Sequence, residues 1–194
     1  MNNIKYKYSL TFQKKGLLIF LSHLDLMRLF ARVLQKSELP LVYTQGFNPH
    51  LRYALPYPLP VGYTGTAEVL EIYLTAPVAE QTLVSALNAH LPADIKILSA
   101  VFGTLSPEYY LRVILEKESK LPADWPKRVL EKTTKRNNVL RYCLGEHIRL
   151  EIKGQELLIY PLSAQIFKAE KICALLDIPP DDIIEIIRVK KEAV

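Results

Sequence analysis

The first hundred residues switch between two spacings of apolar residues. Alternation with a period of two is typical of strands, and it predicts strands at 4–12, 39–44, 65–75 and 94–103. Apolar residues at helical spacing predict one helix after Ser22 and a second helix at about 78–91. The predicted order is therefore β-α-β-β-α-β, which is the order of ferredoxin-like domains.

The remaining residues repeat this order of elements without repeating the sequence. Strands are predicted at 109–117, on both sides of a turn at Gly154, and at 182–191. Two helices are predicted between them, a basic one at 123–136 and another at 163–177. The fold class predicted for the whole chain is α+β, with two ferredoxin-like halves packed side by side.

The predicted domains are residues 1–103 and 104–194. In the second domain, Asp124 is the expected N-cap of the basic helix and Ser163 is that of the later helix. Residues 137–146 fit no element of this scheme. The later helix is expected to have an apolar face comprising Ile166, Ala169, Cys173 and Leu176.

Composition places the chain among globular proteins. Of its 194 residues, 49% are apolar and 23% are charged, which excludes disorder over most of its length. No run reaches the ~20 apolar residues of a membrane span, and the N-terminus lacks the apolar core of a secretion signal, so we expect a cytoplasmic protein. The net charge of +5 permits an anionic partner such as RNA without requiring one.

The chemistry-bearing cysteines and histidines show no pattern of metal ligands. Cys143 and Cys173 lie outside any CxxC motif, and we interpret them as free buried thiols. Two cysteines are too few for an iron–sulfur centre. The four histidines lack the spacing of a metal site, so no metal and no cofactor is predicted.

The helix that starts in "FLSHLDLMRLFARVL" has two contrasting sides. Ser22 followed by Asp25 resembles a capping box with aspartate in place of glutamate. Since an α-helix turns by about 100° per residue, Arg28, Arg32 and Lys36 form a basic stripe. The opposite side is predicted to be buried and comprises Leu26, Phe30, Val33 and Leu34.

His23 falls on the apolar side of this helix, and we predict it to be buried in the first turn. The helix dipole disfavours an imidazolium at that end, and a neutral imidazole could act as a base or bind a metal or phosphate. The alternative is a structural histidine satisfied by backbone groups. Asp25 and Arg28 likewise either contribute to a binding site or pair with each other on a solvated face.

The stretch "GFNPHLRYALPYPLPVGY", residues 46–63, has neither helical nor strand periodicity. Its prolines remove backbone donors and stiffen the chain. Its aromatic residues beside a cation suit stacking on bases and holding phosphates, and the candidates are Phe47, Asn48, His50, Arg52 and Tyr57. The alternative is that Phe47 and the leucines fill the core while the prolines brace a long connection.

The predicted basic helix is a second candidate surface for phosphate. Its candidate residues are Lys127, Arg128 and Lys132. The alternative is that these cations form an ordinary solvated face of the helix.

Three blocks of sequence resemble the signature of a known family. "FLSHLDL" at 20–26, "GFNPH" at 46–50 and "LPVG" at 59–62 are similar to the radical-SAM-associated family, a domain of unknown function. Members of that family extend, or accompany as a separate protein, a cobalamin-type radical SAM protein. Leu51 stands where many members have a further proline. The resemblance implies a radical SAM protein as the partner of this chain.

That family is also distantly similar to the ferredoxin-like RNA-processing proteins of CRISPR systems. Those proteins place a histidine near the first helix, and His23 is the matching residue. Their glycine-rich C-terminal loop has no counterpart in this sequence. The resemblance therefore implies RNA more strongly than it implies nuclease activity.

These observations favour an accessory module that binds RNA, such as transfer or ribosomal RNA, for a radical SAM enzyme and is not an enzyme on its own. One alternative is a metal-independent RNA endonuclease that uses His23 and His50 for acid–base chemistry. Another is a scaffold for the radical SAM protein without nucleic acid, docked through the loop and the His23 end of the helix.

Overall fold

The computed structural model describes residues 5–134, 137–162 and 168–191. The chain divides into two compact units, Met1–Pro107 and Glu108–Val194. The sequence predicts domains 1–103 and 104–194, with the boundary near Gly103 to Pro107. Each unit combines few helices with mostly antiparallel strands, so the chain is a mixed α and β protein.

The first unit contains an antiparallel sheet with two helices. Its strands are β1 (Tyr6–Lys14), β2 (Tyr53–Ala54), β3 (Tyr63–Leu74) and β4 (Ile95–Phe102). They lie in the order β4-β1-β3-β2, and each neighbouring pair is antiparallel. A 3-10 helix at Gly16–Phe20 leads from β1 into α1 (His23–Lys36), and α2 (Glu80–Asn88) connects β3 to β4.

Residues 40–42 and β2 are two pieces of one interrupted edge strand beside β3. The amide of Val42 donates to the carbonyl of Tyr73 at 2.9 Å, and the amide of Thr75 donates to the carbonyl of Pro40 at 2.8 Å. β2 then resumes the antiparallel pairing further along the same strand. The two pieces therefore hold one continuous register on β3.

Between the two pieces, residues 43–52 leave the sheet, and we call them the 43–52 loop. Tyr43 forms an antiparallel bridge with Leu51 instead of pairing with β3. The strand predicted at 39–44 is therefore wrong in its second half, because the outgoing arm of the loop pairs with its own returning arm.

Helix α1 begins at the cap that its sequence predicts. The amide of Asp25 donates to Ser22 Oγ at 3.2 Å, which satisfies one of the free amides of the first turn. Phe30 on the buried side of α1 meets Phe12 of β1 edge-on, with ring centroids 5.0 Å apart. The buried residues of α1 are Leu26, Phe30, Val33 and Leu34.

Within 108–134, 137–162 and 168–191, the second unit contains six strands. They are β5 (Tyr109–Leu115), β6 (Val129–Thr133), β7 (Val139–Cys143), β8 (Ile148–Lys153), β9 (Glu156–Pro161) and β10 (Ile183–Lys190). Four of them form an antiparallel sheet in the order β10-β5-β9-β8, and β6 pairs with β7 as a separate hairpin. Two short helices, α3 (Leu144–His147) and α4 (Ala169–Leu175), accompany them.

The basic helix predicted at 123–136 is wrong. The chain forms one 3-10 turn at Trp125–Lys127 and then enters β6, while residues 135 and 136 lie outside the described residues. β-branched Val129 and Thr133 favour extended backbone. Residues 137–146, which fit no predicted element, supply β7 as the pairing partner.

The helix predicted at 163–177 corresponds to α4, which spans only its second part. Ala169 and Cys173 of the predicted apolar face are buried, as is Leu176 just after the helix. Ser163 and Ile166, the predicted N-cap and the first residue of that face, lie outside the described residues.

We expect Phe30→Ala to lower the free energy of unfolding by about 3–5 kcal/mol, because the ring is fully buried and its loss leaves a cavity. Urea denaturation followed by circular dichroism measures the change. Leu24→Ala on the same helix is the control, since Leu24 is 57% exposed and its change should stay within about 0.5 kcal/mol. Equal losses in the two variants would contradict this description of the core.

Candidate functional site

One signature block contacts the residue just before another in the first unit. The amide of Gly62, in "LPVG", donates to the carbonyl of Ile19 at 2.9 Å, immediately before "FLSHLDL". Gly62 has a φ of +87°, which side chains other than glycine rarely adopt. The backbone thus fixes the end of the proline-rich stretch against the 3-10 helix that precedes α1.

Exposed apolar side chains gather on the elements that meet at this hydrogen bond. Leu17 and Phe20 are three residues apart on the 3-10 helix, so they lie on the same side of it. Leu24 in the first turn of α1 and Val61 beside Gly62 are also exposed. We call Leu17, Phe20, Leu24 and Val61 the exposed apolar group. Single exposed apolar residues are ordinary, but four on adjoining segments are a candidate contact surface.

The third block, "GFNPH", lies within the 43–52 loop. The amide of Thr44 donates to the carbonyl of His50 at 2.8 Å, and the amide of His50 donates to Thr44 Oγ1 at 2.9 Å. Gly46, with a φ of +132°, turns the chain between these arms. Phe47 and Asn48 therefore occupy the tip of a closed loop.

Phe47 is fully exposed at this tip. The alternative prediction, that Phe47 fills the core, is therefore wrong, because the loop that carries it pairs with itself and projects from the edge of the sheet. Asn48 and His50 are exposed as well. The most apolar residue of the loop faces water, although burying a phenylalanine is worth about 1.5–3 kcal/mol.

The leucines after the loop do fill the core, as the same alternative expects. Leu55 and Leu59 are buried, and they alternate with Pro56, Pro58 and Pro60. Tyr57 is half-buried, and its hydroxyl donates to Ser106 Oγ at 3.5 Å, close to the limit of a hydrogen bond. This proline-rich stretch is therefore a braced support at the base of the loop.

Arg52 is the cation of this region, and the sheet orients it. Its guanidinium lies 4.5 Å from the centre of the Tyr73 ring on β3, within the range of a cation–π contact. The Arg52 side chain forms no hydrogen bond or ion pair with any residue that the structure describes. Its N–H donors therefore remain open to a ligand while its orientation is set in advance.

Acidic residues are missing from the sequence around this site. No aspartate or glutamate occurs between Glu38 and Glu68, a span that includes the whole loop and its support. The neighbouring Tyr53 hydroxyl donates to the carbonyl of Met27 at 2.9 Å, and burial raises the pKa of Tyr53. The loop and its support therefore carry no acidic charge of their own, and Glu71 on the neighbouring β3 is paired with Lys7 at 2.8 Å.

Sequence reasoning missed Tyr73 as the support for Arg52. Tyr73 alternates with buried Ile72 and Leu74 on β3, so its side chain is on the other face of the sheet. An aromatic residue that alternates with the core residues Ile72 and Leu74 of a predicted strand is the signal that could have identified it.

The first turn of α1 differs from its prediction at one residue. His23 is exposed, so the prediction that it is buried is wrong. Side chains of a helix lean toward its N-terminus, and in the first turn there is no earlier turn for His23 to cover. Among the residues that the structure describes, no hydrogen bond or ring contact joins His23 to His50.

Asp25 and Arg28 pair with each other, as the alternative reading of the basic stripe predicts. Ser22 Oγ donates to Asp25 Oδ2 at 2.7 Å, and Arg28 donates to Asp25 Oδ1 at 3.1 Å. These two contacts lower the pKa of Asp25, the Ser22 hydrogen bond most. Asp25 is therefore an ionised partner of the cap residue Ser22 and a poor candidate for a proton donor near neutral pH.

Arg128, a candidate phosphate ligand, is engaged within the second unit. It donates to both carboxylate oxygens of Asp124, to Asp177 Oδ2 at 2.8 Å and to the carbonyl of Leu175 at the end of α4. Lys127 and Lys132 are exposed. Asp124 is therefore a partner of Arg128 and not the cap of a long helix.

Two further kinds of chemistry find no support in the described part of the chain. Residues 5–134, 137–162 and 168–191 contain no group of three or more His, Cys, Asp or Glu that could hold a metal ion. Cys173 is buried and Cys143 is partly buried, and both are free thiols. No helix within those ranges is long and apolar enough to cross a membrane.

A comparison with protein-family models matches residues 7–138 to a family described as an uncharacterized protein conserved in bacteria (DUF2344). The chain belongs to this family. The DUF2344 match spans all three signature blocks and continues through β6 into the second unit. A search of curated proteins found no match.

We expect Arg128→Gln to lower the melting temperature, and the loss should depend on pH. Arg128 holds the pKa of Asp124 below its ordinary value of 3.8. A carboxylate with a lowered folded pKa stabilises the fold above its unfolded pKa and loses that contribution as pH falls through the folded pKa. The difference in melting temperature between Arg128→Gln and wild type should therefore be largest at about pH 7 and become smaller below about pH 4.

Thermal unfolding followed by circular dichroism across this pH range measures the effect. Arg141→Gln is the matched control, because Arg141 pairs with Glu131 on an exposed hairpin and such pairs contribute little. A pH-independent difference, or equal effects in both variants, would contradict the role assigned to Arg128.

We expect Cys173 to resist thiol reagents in the folded protein. Burial raises its pKa to about 12, so the reactive thiolate is almost absent at about pH 8. Titration with Ellman's reagent should detect at most Cys143 before denaturation and both cysteines afterwards. In Cys143→Ser, rapid reaction of the native protein would contradict the burial of Cys173.

Proposed function

We propose that this DUF2344 protein is an accessory module that binds RNA through the 43–52 loop. The observation that carries the proposal is the exposed Phe47 at the tip of a closed loop. The same loop carries Arg52, whose guanidinium packs on the Tyr73 ring while its N–H donors remain open to a ligand. Aromatic rings stack on unpaired bases, and an arginine fork binds phosphate. The braced support beneath the loop lowers the entropy that ordering on binding would cost.

The resemblance to the radical-SAM-associated family extends this proposal to a partner. The module presents transfer or ribosomal RNA to a radical SAM protein in the cytoplasm and does not carry out the reaction itself. Both units are variations on a ferredoxin-like arrangement. The strand orders β4-β1-β3-β2 and β10-β5-β9-β8, antiparallel throughout, support this view, with the β6–β7 hairpin in place of the first helix in the second unit.

The endonuclease alternative has less support. General acid–base catalysis needs both groups within reach of one substrate hydroxyl. His23 lies on the first turn of α1 and His50 on the 43–52 loop, and no contact among the described residues connects them.

The scaffold alternative is favoured by a different observation, the exposed apolar group on the 3-10 helix, α1 and the "LPVG" segment. In this second proposal, Phe20 and Leu17 bind an apolar surface of the radical SAM protein. Co-purification with the radical SAM protein of the same organism tests it. Phe20→Ala should weaken the complex, whereas Phe47→Ala should not; the reverse result would assign the docking to the loop.

We expect a labelled transfer RNA pool to bind with an affinity that falls as salt rises, because phosphate contacts release counterions. Fluorescence anisotropy measures the affinity. Phe47→Ala should weaken binding by about 5- to 150-fold, the range expected for loss of a base stack. Arg52→Ala should weaken binding and lower the slope of log affinity against log salt by about 1.

Matched controls exist for both variants. Arg149→Ala removes another arginine stacked on a tyrosine, Tyr160, at the same distance of 4.5 Å. Phe102→Ala removes another exposed phenylalanine. Binding that is equal in Phe47→Ala, Arg52→Ala and the two controls would exclude the loop as an RNA site.

A further inference from the structure

A cleft in the first unit lies between the second half of α1 and the residues that follow α2. Its volume is about 600 Å³, and its lining comprises Leu29, Arg32, Val33, Lys36 and 89–92. None of these residues belongs to the 43–52 loop or to the exposed apolar group. The cleft is therefore a separate candidate site.

The cleft is lined by both cationic and apolar residues, and their spacing on α1 explains why they share one space. Residues 29, 32, 33 and 36 recur at the spacing of one helix side, so they face the same space. Leu29 and Val33 contribute apolar surface, and Leu91 and Pro92 do the same from the other side. His90 adds a flat ring that can stack on a planar ligand.

The charge in the cleft is positive and unpartnered. Arg32 and Lys36 are exposed, and neither side chain forms a hydrogen bond or ion pair with any residue that the structure describes. No acidic residue is among those that line the cleft. By contrast, Arg28 of the same stripe is paired with Asp25.

The helix dipoles oppose this charge without cancelling it. The last turn of α1 and the end of α2 border the cleft, and each helix C-terminus carries about half a negative charge. Two full positive charges exceed that sum. Lys36 alone could be explained as a favourable partner for the C-terminus of its own helix, but Arg32, one turn earlier, could not.

We propose that this cleft binds a phosphate monoester attached to a flat or apolar body, such as a mononucleotide. Arg32 and Lys36 bind the phosphate, while Leu29, Val33, Leu91 and the His90 ring contact the base. Pockets of about 300–1,000 Å³ hold ligands of this size, whereas inorganic phosphate would leave the apolar walls without a contact. The phosphate could belong to a free nucleotide or to the terminal nucleotide of an RNA.

Isothermal titration calorimetry with AMP, adenosine and inorganic phosphate tests this proposal. AMP should bind more tightly than adenosine or inorganic phosphate. Adenosine can contact only the apolar residues of the cleft, and inorganic phosphate can contact only Arg32 and Lys36. Arg32→Gln should weaken AMP binding by about tenfold or more, the expected loss of a charge-assisted hydrogen bond. Lys36→Gln should weaken it in the same direction.

Two controls keep the result independent of folding and of the 43–52 loop. Arg28→Gln changes a cation on the same helix that is paired outside the cleft, and Phe47→Ala changes the loop; both should retain AMP binding. Thermal unfolding checks that the Arg32→Gln variant is folded. Equal binding of AMP and adenosine, or undiminished AMP binding in folded Arg32→Gln, would overturn the proposal.

Oligonucleotides with and without a 5′-phosphate distinguish the two sources of the ligand. A gain in affinity from the 5′-phosphate that disappears in Arg32→Gln would assign the cleft to an RNA end. AMP binding without such a gain would assign it to a free nucleotide. Absence of any dependence on phosphate in both assays would overturn the proposal.

Discussion

The end of β3, residues 71–74, together with the following Thr75, determines where the candidate RNA site can form. Its backbone groups hold both pieces of the interrupted strand, at Val42 and at β2. Its inward side chains Ile72 and Leu74 are fully buried, and its outward side chain Tyr73 orients Arg52. One short segment therefore anchors the loop, contributes to the core and positions the cation.

In the stretch from 46 to 63, the residues that stabilise the fold differ from the residue that is exposed at the tip. Leu55 and Leu59 bury their side chains, so this part of the stretch gains the free energy of apolar burial. Phe47 does not, and the chain retains an exposed aromatic ring on a loop closed by its own hydrogen bonds. A loop that keeps an apolar tip in water while its base is firmly anchored is well suited to contact another molecule.

Local signals in the sequence predicted the elements that depend on local physics. The Ser22 cap and the spacing of Leu26, Phe30, Val33 and Leu34 identified α1 because both act within a few turns. The alternation around Gly154 identified β8 and β9 for the same reason. The 123–136 segment was misassigned because its charges and one proline near the start fit a helix, whereas its pairing partner at 139–143 has no strong pattern of its own.

The candidate site was predictable as a region but not in its contacts. The content of proline and aromatic residues identified the loop as a candidate. The exposure of Phe47, however, depends on a pairing between Tyr43 and Leu51 that cannot be predicted from the periodicity of the sequence. Likewise, Arg128 looked like a free cation because Asp124 was expected to cap a helix, and the other partner, Asp177, is 49 residues away in sequence.

The interrupted strand has a consequence for how this surface can change. Because residues 40–42 and β2 keep one register on β3, the tip at 45–49 can be lengthened, shortened or replaced without moving any strand. Insertions and deletions at the tip should therefore leave the stability of the scaffold largely unchanged. The same separation makes this loop a natural place to graft a new recognition sequence.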